Sequence, residues 1–90
     1  MSESASNTVI IGHHLGLHLR AAGVFVSAAS EFECEITLHC ANCVANGKSI
    51  MSVLALGAAH GANLKISASG PNAHQAVTTL IKVVEANFNF

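Results

Sequence analysis

The chain has 90 residues, of which 51% are hydrophobic and 10% are charged. That length and composition indicate one compact globular domain rather than a disordered chain. Four basic and five acidic side chains leave a net charge of −1, so we expect neither nucleic acid nor an anionic membrane surface as a partner. No apolar run reaches the roughly 18 residues of a membrane-spanning helix, and the polar start does not resemble a secretory signal. We therefore expect a cytoplasmic protein without membrane insertion.

The first third of the chain predicts a tail, a strand and a helix. We expect residues 1–6 to form a flexible tail before a single domain over residues 7–90. The β-branched run over residues 8–11 predicts a short strand, which Gly12 ends. Apolar side chains three or four positions apart over residues 19–30 predict a helix with one buried face.

A hairpin is predicted next. Apolar and polar residues alternate from Cys34 onward, which is typical of a half-buried strand. Residues 41–42 are the expected turn, because Asn42 tolerates the left-handed backbone that such turns require. A second short strand is then expected to begin near Cys43.

The second half of the chain predicts helix, strand and helix. Ser49 has the side chain of a helix N-cap, and the short helix that it begins is expected to run to about Gly57. Residues 64–68 alternate as a half-buried strand. Asn72, with Gln75 three residues later, predicts a capping box at the start of the last helix. The apolar stripe of that helix comprises Ala73, Ala76, Val77, Leu80, Ile81 and Val84.

The predicted order is strand, helix, strand, strand, helix, strand, helix. Strands with one apolar face imply an antiparallel sheet that helices cover on one side only. We therefore expect an α+β open-faced sandwich, in which three helices cover one face of a four-stranded antiparallel sheet.

His18 and Arg20 lie at the predicted junction between the first strand and the first helix, just after Gly16. A histidine accepts a phosphoryl group only as the neutral imidazole, and an ordinary histidine is largely neutral near pH 7. A helix start favours negative charge through its free N–H groups and dipole, and Arg20 offers donors suited to phosphate oxygens. The pair is therefore a candidate for phosphoryl handover, although a surface histidine and a solvated arginine would give the same short motif.

Five short motifs extend this signal along most of the chain, from about Thr8 to Glu85. They are Leu17-His18-x-Arg20, Glu35-Ile36-Thr37-Leu38, Lys48-Ser49-Ile50-Met51, Leu56-Gly57 and Ile66-Ser67-Ala68-Ser69-Gly70. In this register the chain resembles the HPr family, the small histidine phosphocarriers of the bacterial phosphotransferase system. The resemblance implies that enzyme I phosphorylates His18 on Nδ1 and that enzyme IIA domains receive the group. It implies a carrier, without independent turnover and without a cofactor or metal.

Three departures from the family pattern lie close to His18. Ala21 stands where a proline usually follows the arginine, and Leu19 replaces a small or hydroxyl residue. Leu15 stands where many members have Asn or Ser, so a side-chain donor near the phosphate is missing. We expect these changes to affect transfer rate and partner choice. Sugar uptake and a regulatory phosphorelay use the same residues and stay open as alternatives.

The resemblance also assigns a regulatory residue and a docking face. Ser49 aligns with the serine that HPr kinase/phosphorylase modifies in Gram-positive and some other bacteria, in addition to its structural role as an N-cap. Leu19, Gly23, Met51 and Leu54 match the face that docks enzyme I and enzyme IIA, although Leu19 and Leu54 could instead be ordinary core residues. We expect a monomer.

Two other classes of function stay open at this point. One is an interaction module that is not phosphorylated and binds regulators through the same face. The other is a small thiol or metal-binding protein that uses Cys40 and Cys43, although reduced side chains at a turn are the simpler interpretation for an odd number of cysteines. The remaining histidines are expected in loops or on an exposed helix face: His13, His14, His60 and His74.

Overall fold

A computed structural model describes residues 3–89 of the chain. Its elements are β1 (Ser4–Ile10), α1 (Leu19–Ala29), β2 (Glu35–Cys40), β3 (Cys43–Asn46), α2 (Ile50–Ala55), β4 (Asn63–Ser69) and α3 (Ala73–Glu85). The strands form one sheet in the order β1-β4-β2-β3, and every neighbouring pair is antiparallel. This arrangement confirms the predicted element order and the α+β open-faced sandwich.

One face of the sheet is buried and the other is not. The buried strand residues are Val9, Ile36, Leu38, Ala45, Leu64, Ile66 and Ala68. The helices bury Phe25, Val53 and Leu80 in the same core. On the opposite face, Glu35 and Lys65 are exposed, so a single hydrophobic core lies between the sheet and the three helices. Among residues 3–89, no helix combines the length and apolar character needed to cross a membrane.

The predicted boundary between tail and domain is wrong for residues 4–6. These residues belong to β1, where Ser4, Ala5 and Ser6 pair with residues 67–69 of β4. The backbone of Glu3 is also tied down, because its carbonyl accepts the Gly70 N–H at 2.8 Å. The small side chains of residues 4–6 gave no strand signal, because this edge strand is held by backbone hydrogen bonds that side-chain patterns do not record. Residues 1, 2 and 90, which belong to the predicted tail and domain end, lie outside the described residues.

The hairpin turn has the predicted position but a different left-handed residue. Cys40 pairs with Cys43, so the loop has two residues, and the positive φ of 54° belongs to Ala41 rather than to Asn42. Both common two-residue hairpin turns need a positive φ at their first central position. Burial of Leu38 and Ala45 sets the strand register, and that register puts Ala41 in the first position whatever its side chain prefers.

The predicted capping box at α3 is also wrong. Asn72 is the N-cap residue, but its φ of 62° and ψ of 29° are left-handed, and its side chain makes no capping hydrogen bond. A capping side chain reaches the first turn from an extended backbone, which Asn72 does not have. Its carbonyl still accepts the Ala76 N–H at 2.9 Å.

Two connections hold the loop between β1 and α1 in place. Ile11 exchanges backbone hydrogen bonds with the segment before β4, donating to Ala62 at 3.0 Å and accepting from Gly61 at 2.8 Å. Farther along, Leu17 donates to the Ala58 carbonyl at 2.9 Å. The loop that carries His18 is therefore anchored at both ends to the connection between α2 and β4.

Candidate functional site

A tight turn precedes α1. Gly16 donates to the His13 carbonyl at 2.9 Å and has a φ of 67°. A Cβ at Gly16 would lie 2.5 Å from the carbonyl oxygen of Ala58. This distance is too short for any side chain to fit without a shift of the backbone. Glycine is therefore needed here both for its left-handed backbone and for its close approach to the neighbouring chain.

His18 lies at the start of α1, as the sequence predicts, and is the N-cap residue of that helix. Its backbone is extended, with φ −93° and ψ 178°, and its carbonyl accepts the Ala22 N–H at 2.8 Å. The ring is half-buried and makes no capping hydrogen bond. Of its two nitrogens, Nε2 is enclosed and has no hydrogen-bond partner among the described residues. Nδ1 is therefore the nitrogen that remains available to a reactant.

The start of α1 and Arg20 both place positive charge near this ring. The N–H groups of the first turn of α1 make no backbone hydrogen bond within residues 3–89, so they contribute the partial positive charge of a helix start. Arg20 is exposed and lines, together with His18, a groove of about 630 Å³. The far wall of the groove is the chain after α3, residues 86–89, which the buried ring of Phe88 anchors.

Two further histidines line the same groove, and sequence analysis did not connect them with His18. The ring of His13 lies 4.7 Å from that of His18, centroid to centroid, with a tilt of 51°. His14 stacks on His13 at 4.7 Å and 15°. Partial burial, together with the nearby charge of His18 and His14 when protonated, lowers the pKa of His13. The available signal was their position on the turn before Gly16, which folds the chain back toward His18.

Ser49 is the N-cap of α2, which confirms the structural part of its prediction. Its Oγ accepts the Ser52 N–H at 3.4 Å. Ser52 in turn accepts the Asn46 N–H at 2.9 Å through its own hydroxyl, and the Asn46 side chain accepts the Lys48 N–H at 2.9 Å. The start of α2 is therefore closed by side chains and clamped to the end of β3.

The predicted docking residues lie on α1 and α2, which pack against each other. Leu19 and Met51 are 68% and 75% exposed, so the alternative that Leu19 is a core residue is wrong. Leu54 is half-buried and packs against the core, while Gly23 is half-buried with open space where a Cβ would lie. Leu15, which is 63% exposed, extends the apolar surface beside His18.

The cysteines do not assemble with other ligands. Cys34 is buried, Cys40 is half-buried and Cys43 is exposed, and all three are free. Cys40 and Cys43 face each other across the hairpin. Within residues 3–89, no group of three or more His, Cys, Asp or Glu side chains is placed to hold a metal ion.

An open-faced sandwich with a histidine and an arginine at the start of its first helix is the arrangement expected of a histidine phosphocarrier. The family model for the PTS HPr component phosphorylation site matches residues 5–86 of this chain. The phosphocarrier protein HPr of Pseudomonas aeruginosa is 35% identical over 83 residues, which cover 90% of this chain and 91% of the relative.

Solved structures agree with that match. A crystal structure of HPr-C-His from Thermoanaerobacter tengcongensis has a TM-score of 0.90 and 35% identity, and the match covers 96% of this chain and 97% of that one. The phosphocarrier protein HPr of Bacillus anthracis gives a TM-score of 0.85 at 28% identity, covering 90% and 96% of the two chains. The chain belongs to the HPr family, the phosphocarrier proteins of the bacterial phosphotransferase system.

Proposed function

We propose that this chain carries a phosphoryl group on Nδ1 of His18, received from enzyme I and passed to enzyme IIA domains. The observation that carries the proposal is the geometry of His18 at the start of α1. Its Nε2 is enclosed without a partner, which leaves Nδ1 as the accessible nitrogen, beside free helix N–H groups and Arg20. A buried polar atom without a partner is uncommon and is often tolerated at a functional site.

The transfer follows from that geometry. With its proton on Nε2, the ring has a lone pair on Nδ1 that forms a bond to phosphorus. The bond between phosphorus and the donor atom of enzyme I breaks, and its electron pair returns to the donor. The new negative charge on the phosphoryl oxygens lies where the dipole of α1 and the guanidinium of Arg20 stabilise it. Delivery to enzyme IIA reverses these events, so the protein is a carrier and not a catalyst.

The apolar surface around His18 supports docking of more than one partner. Leu19 and Met51 are exposed on two neighbouring helices, and exposed apolar side chains grouped near a reactive residue are typical of recognition surfaces. We include Gly23 and Leu54 in this surface, which would contact enzyme I and enzyme IIA in turn. The predicted monomer and the cytoplasmic location remain predictions of the sequence.

A phosphotransfer assay tests the proposal. Wild type, His18→Ala and the control His74→Ala, which changes an exposed residue of α3, are incubated with enzyme I and phosphoenolpyruvate. We expect one acid-labile phosphoryl group on wild type and on the control, and none on His18→Ala, as read by mass. Equal labelling of wild type and His18→Ala would refute His18 as the acceptor. An unlabelled wild type would favour the unphosphorylated interaction module instead.

Ser49 carries the second part of the proposal, regulation by HPr kinase/phosphorylase. A phosphate on Ser49 would gain from the dipole of α2 but would add about two negative charges beside the docking surface. Ser49→Asp should therefore slow transfer to His18, whereas Ser49→Ala, which removes the hydroxyl without adding charge, should not. The measurement is the initial rate of labelling by enzyme I, and equal rates for the two variants would count against regulation through charge.

A further inference from the structure

The neighbour of the acceptor ring in this protein is another histidine. The His13 and His18 rings lie 4.7 Å apart, centroid to centroid, and both line the groove that Arg20 also lines. The exposed side chain of Leu15, on the same turn, has no hydrogen-bond donor to offer. His13 is therefore the side chain on this turn that combines contact with His18 and a donor nitrogen.

A hydrogen bond within the turn selects one tautomer of the neutral His13 ring. Its Nδ1 accepts the Leu15 N–H at 3.1 Å, and a ring nitrogen that accepts a hydrogen bond cannot carry a proton. The proton of the neutral ring must then be on Nε2. Because Gly16 also donates to the His13 carbonyl at 2.9 Å, the side chain and the backbone of His13 are held by the same turn.

The surroundings of His13 favour this neutral form. The ring is half-buried, and the titratable and charged side chains that line the groove with it are His14, His18 and Arg20. None of them carries a negative charge that would favour a proton on His13. Partial burial, followed by the charge of His18 and of His14 when they are protonated, lowers the pKa of His13. His13 is therefore a neutral donor near pH 7, with an Nε2–H that makes no hydrogen bond among the described residues.

We propose that His13 is a phosphoryl-binding residue, whose Nε2–H donates to an oxygen of the phosphoryl group on His18. This inference rests on the proposed function and adds a residue to it. In this arrangement the phosphoryl group is held by the first turn of α1, by Arg20 and by a donor from the preceding turn. His13 would thus supply the side-chain donor that Leu15 lacks.

Two variants separate the donor from the turn. In His13→Asn, the amide oxygen lies near the position of Nδ1 and can still accept the Leu15 N–H, but the Nε2 donor is lost. In His13→Gln, an amide N–H group reaches the position of Nε2 and restores the donor. His74→Asn makes the same change of residue type at an exposed site on α3 and serves as the control.

The measurement is the equilibrium level of phospho-His18 in exchange with enzyme I. We expect His13→Asn to lower the equilibrium constant about tenfold, the effect of one hydrogen bond to a charged group, and His13→Gln to recover most of it. In wild type, the His13 Nε2–H should become visible by NMR and protected from solvent exchange on phosphorylation. The control should match wild type in its equilibrium constant.

The outcomes separate this inference from the proposed function. If wild type and His13→Asn reach the same equilibrium, or if the Nε2–H stays unprotected after phosphorylation, His13 does not bind the group. Equal losses in the Asn and Gln variants would indicate a purely structural residue and would also overturn the inference. Labelling that survives in His18→Ala would instead defeat the proposed acceptor. The NMR signal is read on wild type and needs no variant to fold.

Discussion

Two helices in this protein begin at N-cap residues with similar backbone conformations, but only one of them is capped by a side chain. His18 and Ser49 are both N-cap residues with extended backbone, at φ −93° before α1 and φ −121° before α2. The hydroxyl of Ser49 accepts a backbone N–H of its own helix, whereas the ring of His18 makes no such bond. The start of α2 is thereby closed, and the start of α1 is left open.

The difference shows how one structural feature serves either stability or chemistry. A capped helix start satisfies its donors internally and gains about 1 kcal/mol. An uncapped start keeps its N–H groups for a ligand, so the protein must position the chain by other means. Here those means are the turn at Gly16 and the bond from Leu17 to Ala58. An unfavourable conformation at a functional site commonly persists because the surrounding structure holds it in place.

The turn at Gly16 gives the largest expected effect. Gly16→Ala should lower the free energy of unfolding by about 3 kcal/mol, because it combines a left-handed alanine with an overlap against the backbone. Gly57 is the matched control, since its φ of 65° is similar to the 67° of Gly16, but no atom lies within 4 Å of its Cβ position. Gly57→Ala should cost only about 1 kcal/mol.

Urea unfolding of both variants measures this difference. A larger loss at Gly16 would show that the close approach to Ala58, and not the backbone conformation alone, fixes the entry to α1. Equal losses would mean that the loop relaxes away from Ala58. In that case the turn would not be the element that holds the open helix start.

Substitutions at the two N-cap residues, His18 and Ser49, give the next largest effect. The backbone of His18 suits a serine cap, so His18→Ser should be more stable than His18→Ala by about 1 kcal/mol while accepting no phosphoryl group on this residue. Ser49→Ala should lose about the same amount at α2. Thermal or urea unfolding measures both changes. If His18→Ser and His18→Ala are equally stable, the start of α1 is already satisfied and the comparison between the two helices fails.

The sequence predicted the features that depend on side-chain pattern and on local chemistry. The element order, the Ser49 cap and the position of His18 at a helix start all follow from periodicity and from residue type. The first three residues of β1 were missed because Ser4, Ala5 and Ser6 are held by backbone pairing with β4. A pattern of side chains contains no record of such bonds.

The other errors arose where tertiary contacts set the backbone. Asn42 and Asn72 were each expected to act through a known preference of asparagine, but strand register put Ala41 in the left-handed position. A left-handed backbone at Asn72 removed its capping geometry. Contact between His13 and His18 was missed for the same reason, since only the folded turn brings the two rings together.

A substitution at Gly23, on α1, tests the proposed docking face and has a smaller expected effect on stability. Glycine inside a helix is less favourable than alanine by about 1 kcal/mol, and an added Cβ at Gly23 meets no atom within 4 Å. Gly23→Ala should therefore raise the free energy of unfolding by about 0.5–1 kcal/mol. If Gly23 lies in the docking face, the same variant should be phosphorylated more slowly by enzyme I. A stabilised variant with an unchanged rate would remove Gly23 from that face.

The smallest expected effect is a pH dependence of the free energy of unfolding. It should arise at His13, on the turn before α1, and not at the capped start of α2. The pKa of His13 is lowered in the folded protein, so protonation is easier in the unfolded chain and acid favours unfolding. The contribution is complete above the ordinary histidine pKa of about 6.5 and is lost as the pH falls through that value toward the folded pKa. Below the folded pKa the loss is constant.

Replacing the titrating group should remove this part of the acid sensitivity. Asparagine at position 13 can accept the Leu15 N–H at any pH in this range, whereas a protonated Nδ1 cannot. His13→Asn should therefore lose less stability than wild type between pH 7.5 and pH 5, by urea unfolding, whereas Ser49→Ala should lose as much as wild type. Parallel curves for wild type and His13→Asn would show that proton binding at His13 is not linked to folding. Convergence of the two curves at high pH, with separation in acid, would place the sensitivity in the turn that leads into α1.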